Sequence, residues 1–507
     1  MKTKLIISIL ILSSNFLFSQ EKDLTAFNKL LNVNTDFSEY QSYNIYQKDF
    51  FYLTKILEDT HPNIYNSVAK TKLDSLKNEI FIQLNNADSS KFIKWAKIYT
   101  AQINDPHTNI YLSNGNKNRF PIDFKFIKDS LFISNTTKKY DKKELVGRHV
   151  LKINNKSVSD LFTEYSKYDS GNKINKQQNF LYYIKSLKYY KLLNLKSDSL
   201  IILSEINNQE YTDTIYAISK YPKYTTKYKH EFALFSYEFI DDSICYFKYN
   251  ECLDLQYLKF AKDNYSGTLR FLAKIVWRFR GGYFDKFLAK MFKEIEEKKI
   301  NHLIIDLSAN RGGSSLLGDQ FLYYLTSNSQ IKSYSQKDKL SPLLKYSHPD
   351  FYNERINDYE IDTNQIPQLI SIKPDEADYF DFLTDKESDF YMEEPNKYKG
   401  KLYMIIGAKT FSSAAMLATM LYDNKLTDLV VGSPISNNPS HFGEVIYYDL
   451  PYTGAWGYCS TKQFIRPDKD SKTDNIEIDF EICNSIFDLK ESRNRPLEYL
   501  IRYIENK

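Results

Sequence analysis

Cysteine is sparse in this chain, and its spacing carries no metal chemistry. Cys245, Cys252, Cys459 and Cys483 are the only four in 507 residues and include no Cys-x-x-Cys pair, which excludes a zinc finger or ribbon. In an oxidising compartment they would form one or two disulfides; buried free thiols are the alternative. An excess of one charge is also missing. The 68 Lys and Arg against 64 Asp and Glu leave a net +4, spread along the chain without a basic tract, so nucleic acid is not an expected partner. Beyond the N-terminus no apolar run is long enough for an integral membrane span. Repeats, heptads and low-complexity tracts are absent, and Gly312-Gly313 lacks the Gly-Lys-Ser/Thr that holds phosphates and magnesium. The sequence therefore offers no cofactor or metal site.

What is present is aromatic: 16% Phe, Trp and Tyr, with 42 Tyr, leaves few segments polar enough for disorder. A chain of 507 residues divides into two or three units, each with a core. The first stretch, MKTKLIISILILSSNFLFSQ, has two lysines, an apolar run from Leu5 to Leu12 and a polar end. That layout predicts a secretory signal peptide over residues 1–20, cleaved near Gln20, and an exported periplasmic or extracellular protein. No cysteine lies near its end, so a lipoprotein is not expected.

Residues 21–115 read as a helical N-terminal domain. Phe50, Leu53, Ile56 and Leu57 repeat at helical spacing, as do Leu73, Leu76, Ile80 and Leu84, then Phe92, Trp95, Ile98 and Tyr99 behind the capping serines Ser89 and Ser90. From 116 to 235 short alternating segments predict a β-rich module with a helix from about Ser159 to Tyr168, while 175–235 has no assignable pattern. From 236 to 507 strand and helix alternate, which predicts an α/β domain with a largely parallel inner sheet. The polar stretch Ser333 to Gly400 reads as an insertion.

Three places carry chemistry. Leu402 to Ile406 is a short apolar strand that runs through Gly407 to Ser412 and a helix, which puts a hydroxyl at a strand-to-helix turn beside free N–H groups. A serine pair there also serves as a plain helix cap. Asp306 to Gly313 ends a buried strand, and its paired glycines let backbone N–H groups face an anion; tight-turn glycines are the plainer reading. His107, in Asp105-Pro106-His107-Thr108, lies between helix and strand, where it can project into a cleft or sit as an ordinary core histidine.

In order along the chain these motifs resemble the C-terminal-processing (tail-specific) proteases and the tricorn core protease, a serine peptidase family with exported bacterial members. His61 to Tyr65 and Asp105 to Thr108 look like the family's N-terminal motifs, and Val146 to Val158 like its PDZ-like strand and turn. Asp306 to Gly313 and Thr410 to Ala414 look like Asp-Leu-Arg-x-Asn-x-Gly-Gly and Thr-Phe-Ser-Ala-Ala; Gly432, Phe442-Gly443-Glu444, Leu450-Pro451 and Arg466-Pro467-Asp468 follow in order. The resemblance implies a multidomain α+β chain with a helical N-terminal domain, a β-rich PDZ-like module and an α/β catalytic domain of the ClpP/crotonase type. It implies Ser412 as nucleophile, with the N–H of Ser413 and of Gly312 or Gly313 as oxyanion hole. The Ser/Lys members carry a lysine where Glu444 stands here, so the base it implies is His107, as in tricorn-like members, oriented by Glu444, Asp470 or Asp474. Pro106 replaces a glycine, and Ala415 stands where glutamate is common. The expected activity is serine-type cleavage of peptides or protein tails; the alternative is an inactive protein on the same scaffold that binds peptide or a hydrophobic ligand.

Overall fold

Leu303 and Ile305 face one side of a sheet and Ile304 the other, and all three are fully buried, which requires covering layers on both faces. In this computed structural model they belong to a six-stranded sheet in the order Phe480–Glu481, Leu429–Gly432, Lys401–Ile406, His302–Asp306, Ile244–Tyr249, Phe235–Phe239. The first five strands run parallel and only the last is antiparallel. Helices Phe284–Lys298, Leu316–Tyr323 and Ser413–Asp423 cover one face through Leu288, Met291, Phe321, Leu417 and Ala418. The C-terminal helix Arg495–Glu505 covers the other through Leu500 and Ile504. The structure describes residues 24–506 apart from 34, 113–117, 142–143, 191, 194, 196–197, 221, 223, 225–232, 258–277, 373–377, 472 and 492. The expected signal peptide lies outside the described residues.

A second sheet is antiparallel and joins the two ends of the chain. Its long strand Trp456–Ile465 pairs with His441–Asp449, with Ser335–Leu340 and with the short strand Asn109–Tyr111 that follows the N-terminal helices. Asn109 opposes Tyr458 in that register, which ties the His107 loop to the α/β region. The stretch 333–400, polar in sequence, is ordered in part: Ser335–Leu340 and Gln368–Ile372 form an antiparallel pair that extends this sheet.

The N-terminal helices Ile45–Thr60, Lys70–Gln83 and Ser89–Ile103 form where the apolar spacing predicts them. The cap of the third is Asp88, which accepts from Lys91 N at 2.7 Å, rather than Ser89 or Ser90, which already lie in the first turn. Their core is continuous with Ile446, Tyr448 and Cys459 of the second sheet and with Leu450 just beyond it. The third sheet, Ile122–Ile127, Ser130–Thr136, His149–Ile153, Ser199–Ile206 and Gln209–Tyr216, is wholly antiparallel. Its last hairpin fills part of the segment without a sequence pattern, closed by Asn207 and Asn208 at φ 52° and 60°. All four cysteines are free thiols, three of them buried. No helix among the described residues is long and apolar enough to cross a membrane.

Candidate active site

The carboxyl ends of the parallel strands supply the loops of the site, as is usual for such sheets. The loop after Lys401–Ile406 is fixed by Thr410, whose buried hydroxyl accepts from Gly407 N at 3.0 Å and donates to Leu307 O at 2.9 Å. Phe411 N then donates to Asn310 O at 3.2 Å, locking this loop onto the neighbouring one. The chain turns into helix Ser413–Asp423 through Ser412, at φ 52° and ψ −129°. A side chain held in that region costs roughly 1–3 kcal/mol, a strain characteristic of nucleophile turns. Ser412 makes no capping hydrogen bond to the helix, so the plain cap reading does not hold for it. The hydroxyl of Ser413 is occupied, donating to Gly313 O at 2.7 Å.

Gly312 and Gly313 are glycines because nothing larger fits. A Cβ on Gly312 would stand 2.8 Å from the Ser412 Cβ and 2.9 Å from Ser413 N, and one on Gly313 would stand 2.2 Å from Cys252 O. Both have positive φ, 93° and 142°. The buried Asn310 organises the turn, donating to Tyr249 O at 2.9 Å and accepting from Gly312 N at 2.8 Å. The Gly312 N–H is thereby occupied. The N–H groups of Gly313 and Ser413 have no acceptor among the described residues.

His107 reaches this turn from the N-terminal region. Its ring stacks on Phe411, the residue before Ser412, at 4.6 Å between centroids and 19° between planes. Neither ring nitrogen makes a hydrogen bond of good geometry, although the Phe442 carbonyl lies near enough to favour a proton. Burial holds the ring below the usual histidine pKa, against the opposing pull of Asp105 and that carbonyl. His107 is therefore neutral at pH 7 with a lone pair to offer.

The loop carrying the ring is held by the buried Asp105. This carboxylate accepts from His107 N at 2.9 Å, Thr108 Oγ1 at 2.6 Å, Ser460 Oγ at 2.7 Å and His61 Nε2 at 3.2 Å. Asn63 N donates to His61 Nδ1 at 3.1 Å, so the His61 proton sits on Nε2 and points at the carboxylate. Burial opposes the Asp105 charge, but His61, His107 and Thr108 outweigh it and hold the acid well below the ordinary range. Its Oδ1 lies 3.9 Å from His107 Nδ1, which is electrostatic contact without a hydrogen bond.

None of the three carboxylates expected to orient the ring reaches it. Glu444 is 56% exposed and faces Lys462 at 3.7 Å. Asp470 and Asp474 lie exposed in the loop beyond Ile465. The reason for Glu444 is local: with φ 54° it interrupts the alternation of its strand, and its side chain turns outward. In their place stand Asp105 and a second histidine, His441, whose ring centre lies 6.0 Å from that of His107. His441 Nδ1 is 3.2 Å from Pro439 O, and burial, reinforced by His107, pushes its pKa down to about 4. The sequence signals were present, since Asp105 lies in the His107 motif and His441 directly precedes Phe442-Gly443.

Comparison with known proteins accords with this geometry. Residues 276–482 match the model of peptidase family S41. No curated protein sequence matches the chain. Among solved structures, mature CPAF complexed with lactacystin has a TM-score of 0.62 at 13% identity, covering 90% of this chain and 97% of its own. Mature CPAF alone gives 0.60 at 13%, covering 90% and 95%. The photosystem II D1 C-terminal processing protease covers 87% of this chain and 94% of its own at 9% identity, with a TM-score of 0.38. The family match spans the sheet and turn that carry Gly312, Gly313 and Ser412, and it supports a serine-type peptidase of family S41.

Proposed function

We propose that this protein is an exported peptidase that cleaves peptides or protein tails through an acyl-enzyme on Ser412, with His107 as general base. The observation that carries this reading is Ser412 itself, strained at φ 52° without a capping bond, with His107 stacked on the adjoining Phe411. A serine hydroxyl needs a neighbouring base to become nucleophilic near pH 7, and a buried neutral imidazole meets that need. His107 takes the Ser412 proton as Oγ attacks the scissile carbonyl. The oxyanion is received by the N–H groups of Gly313 and Ser413, and His107 returns the proton to the leaving amine before water releases the acyl group by the reverse sequence. Asp105 faces Nδ1, which leaves Nε2 for the serine, and its charge steadies the imidazolium that forms. Export rests on the signal-like residues 1–20.

A fluorophosphonate probe tests the assignment. Labelling is expected in the wild type, absent in Ser412→Ala and strongly slowed in His107→Ala. A folded wild type that takes no label would instead indicate a binding protein on this scaffold.

A further inference from the structure

Three cations lie around the turn, none of them in an ion pair among the described residues; the Asp488 carboxylate that faces Lys125 is taken by Arg495 at 2.8 Å. Arg311 immediately precedes Gly312-Gly313, and Lys409 stands three residues before Ser412; both residues keep only part of their surface open to solvent. Their loops are bonded to each other through Thr410 Oγ1 to Leu307 O and Phe411 N to Asn310 O, so the two cations share one rim. The third, Lys125, comes from strand Ile122–Ile127 of the third sheet, whose first hairpin lies against this edge of the α/β region through Lys128 and Glu481 at 3.9 Å. None of the three makes an ion pair among the described residues. The carboxylate that faces Lys409 is Asp123, and it is already paired with Lys185.

Such a grouping of like charges is unfavourable by itself. Lys409 loses hydration in the cleft and is repelled by Arg311 and Lys125, which together push its pKa down to about 8. Arg311 is likewise disfavoured by lost hydration. An anion set among them would relieve both effects, and a guanidinium beside ammonium groups suits a carboxylate.

Resting on the peptidase reading above, we propose that Arg311, Lys409 and Lys125 form a carboxylate-binding subsite beside Ser412, which selects peptides carrying a negative charge close to the scissile bond. The carboxylate is supplied either by an acidic side chain or by the chain terminus.

The test separates these sources and separates this proposal from the peptidase assignment. Binding to the Ser412→Ala protein is measured with tetra-alanine as free acid and as amide, and with Ac-Ala-Ala-Glu-Ala-amide against its Gln counterpart. Turnover of the wild type is measured on matched acid/amide and Glu/Gln pairs of a peptide spanning a site cut in denatured β-casein. Preference for a carboxylate by roughly tenfold or more is expected, falling towards one in Lys409→Gln/Arg311→Gln and retained in Lys409→Arg. Discrimination in the acid/amide pair assigns the site to a chain end, and in the Glu/Gln pair to a side chain. Cleavage or binding without either preference overturns the subsite. Carboxylate-selective binding by a protein that takes no fluorophosphonate label would uphold the subsite and overturn the peptidase assignment.

Discussion

The ring of His107 lies nearly parallel to that of Phe411, 4.6 Å away, so the imidazole is held against the serine's own loop by ring contact rather than by a hydrogen bond. Replacing His107 by Ala is expected to lower kcat roughly a thousandfold or more, the effect of losing the base of a serine triad. Only the neutral ring accepts a proton, and burial holds its pKa below the ordinary value. The acid limb of kcat/KM is therefore expected to have its midpoint below about 6.5, with activity falling as pH drops through it. A midpoint at or above the ordinary histidine value would contradict the burial argument.

On the proposed reading, Asp105 acts through His107 and the loop rather than on substrate. Its four partners are all donors, so Asn in its place retains some bonds and loses the charge. Stability is expected to fall by roughly 3 kcal/mol, as for a broken buried charged network. The specific readout is the pH profile: without the carboxylate the His107 pKa drops further, and the acid limb of Asp105→Asn should move to lower pH. A variant that is merely less stable would leave the limb in place.

Gly312 offers a steric test of the same turn. In Gly312→Ala the Cβ would meet Phe411 O and the Ser412 Cβ at 2.8 Å with φ at 93°. Gly454, at φ 65°, has no atom within 4 Å of the same added Cβ, so Gly454→Ala suffers backbone strain alone. We expect Gly312→Ala to reduce kcat at least about a hundredfold, comparable to losing an oxyanion donor, because the crowded atoms are those of the turn that carries Ser412. Gly454→Ala should keep near-wild-type turnover at a temperature where it is folded. Equal losses in the two would mean that strain, not the turn, is being measured.

Much of this site was legible because each motif answers a backbone demand that can be read locally. Gly312-Gly313 must admit Ser412 and Cys252, and Ser412 must turn a strand into a helix. The network around Asp105 was not legible in that way, because it depends on Ser460 and His61 meeting Asp105 across distant segments. The parallel sheet showed itself in buried runs such as Leu303 to Ile305. Strand Ser335–Leu340 did not, being made of Ser, Gln, Lys and Asp before its last residue, Leu340, with Asp338 buried against Arg355 at 3.2 Å. The hairpin Ser199–Ile206 with Gln209–Tyr216 was legible in principle from Asn207-Asn208, a two-residue turn suited to positive φ.

Glu444 supplies a negative control. Exposed and turned toward Lys462, it makes no hydrogen bond to the imidazole. Glu444→Gln is expected to keep kcat/KM within about twofold of wild type, since exposed ion pairs contribute little. A loss of two orders of magnitude would restore Glu444 to the site and displace Asp105 from its role.

His441 makes the site a source of acid sensitivity. In the folded protein its pKa is pushed down to about 4, by burial first and by His107 next, while the Pro439 and Asn438 carbonyls and Asp105 pull the other way. The unfolded chain binds a proton to this residue near pH 6.5 and the folded chain does not, so stability is lost as pH falls from about 6.5 to about 4. The full loss through His441 is about 3 kcal/mol, with His107 adding in the same direction. Asp105 lies outside this window, because its stabilisation is lost only below the unfolded carboxylate value. His441→Phe removes the titrating group and keeps an aromatic ring against Phe464 and Tyr334. Urea unfolding at pH 7 and pH 5 should therefore show a drop in wild-type stability about 2 kcal/mol larger than the drop in His441→Phe. Identical drops would place the His441 proton equilibrium outside this range and remove His441 as the cause.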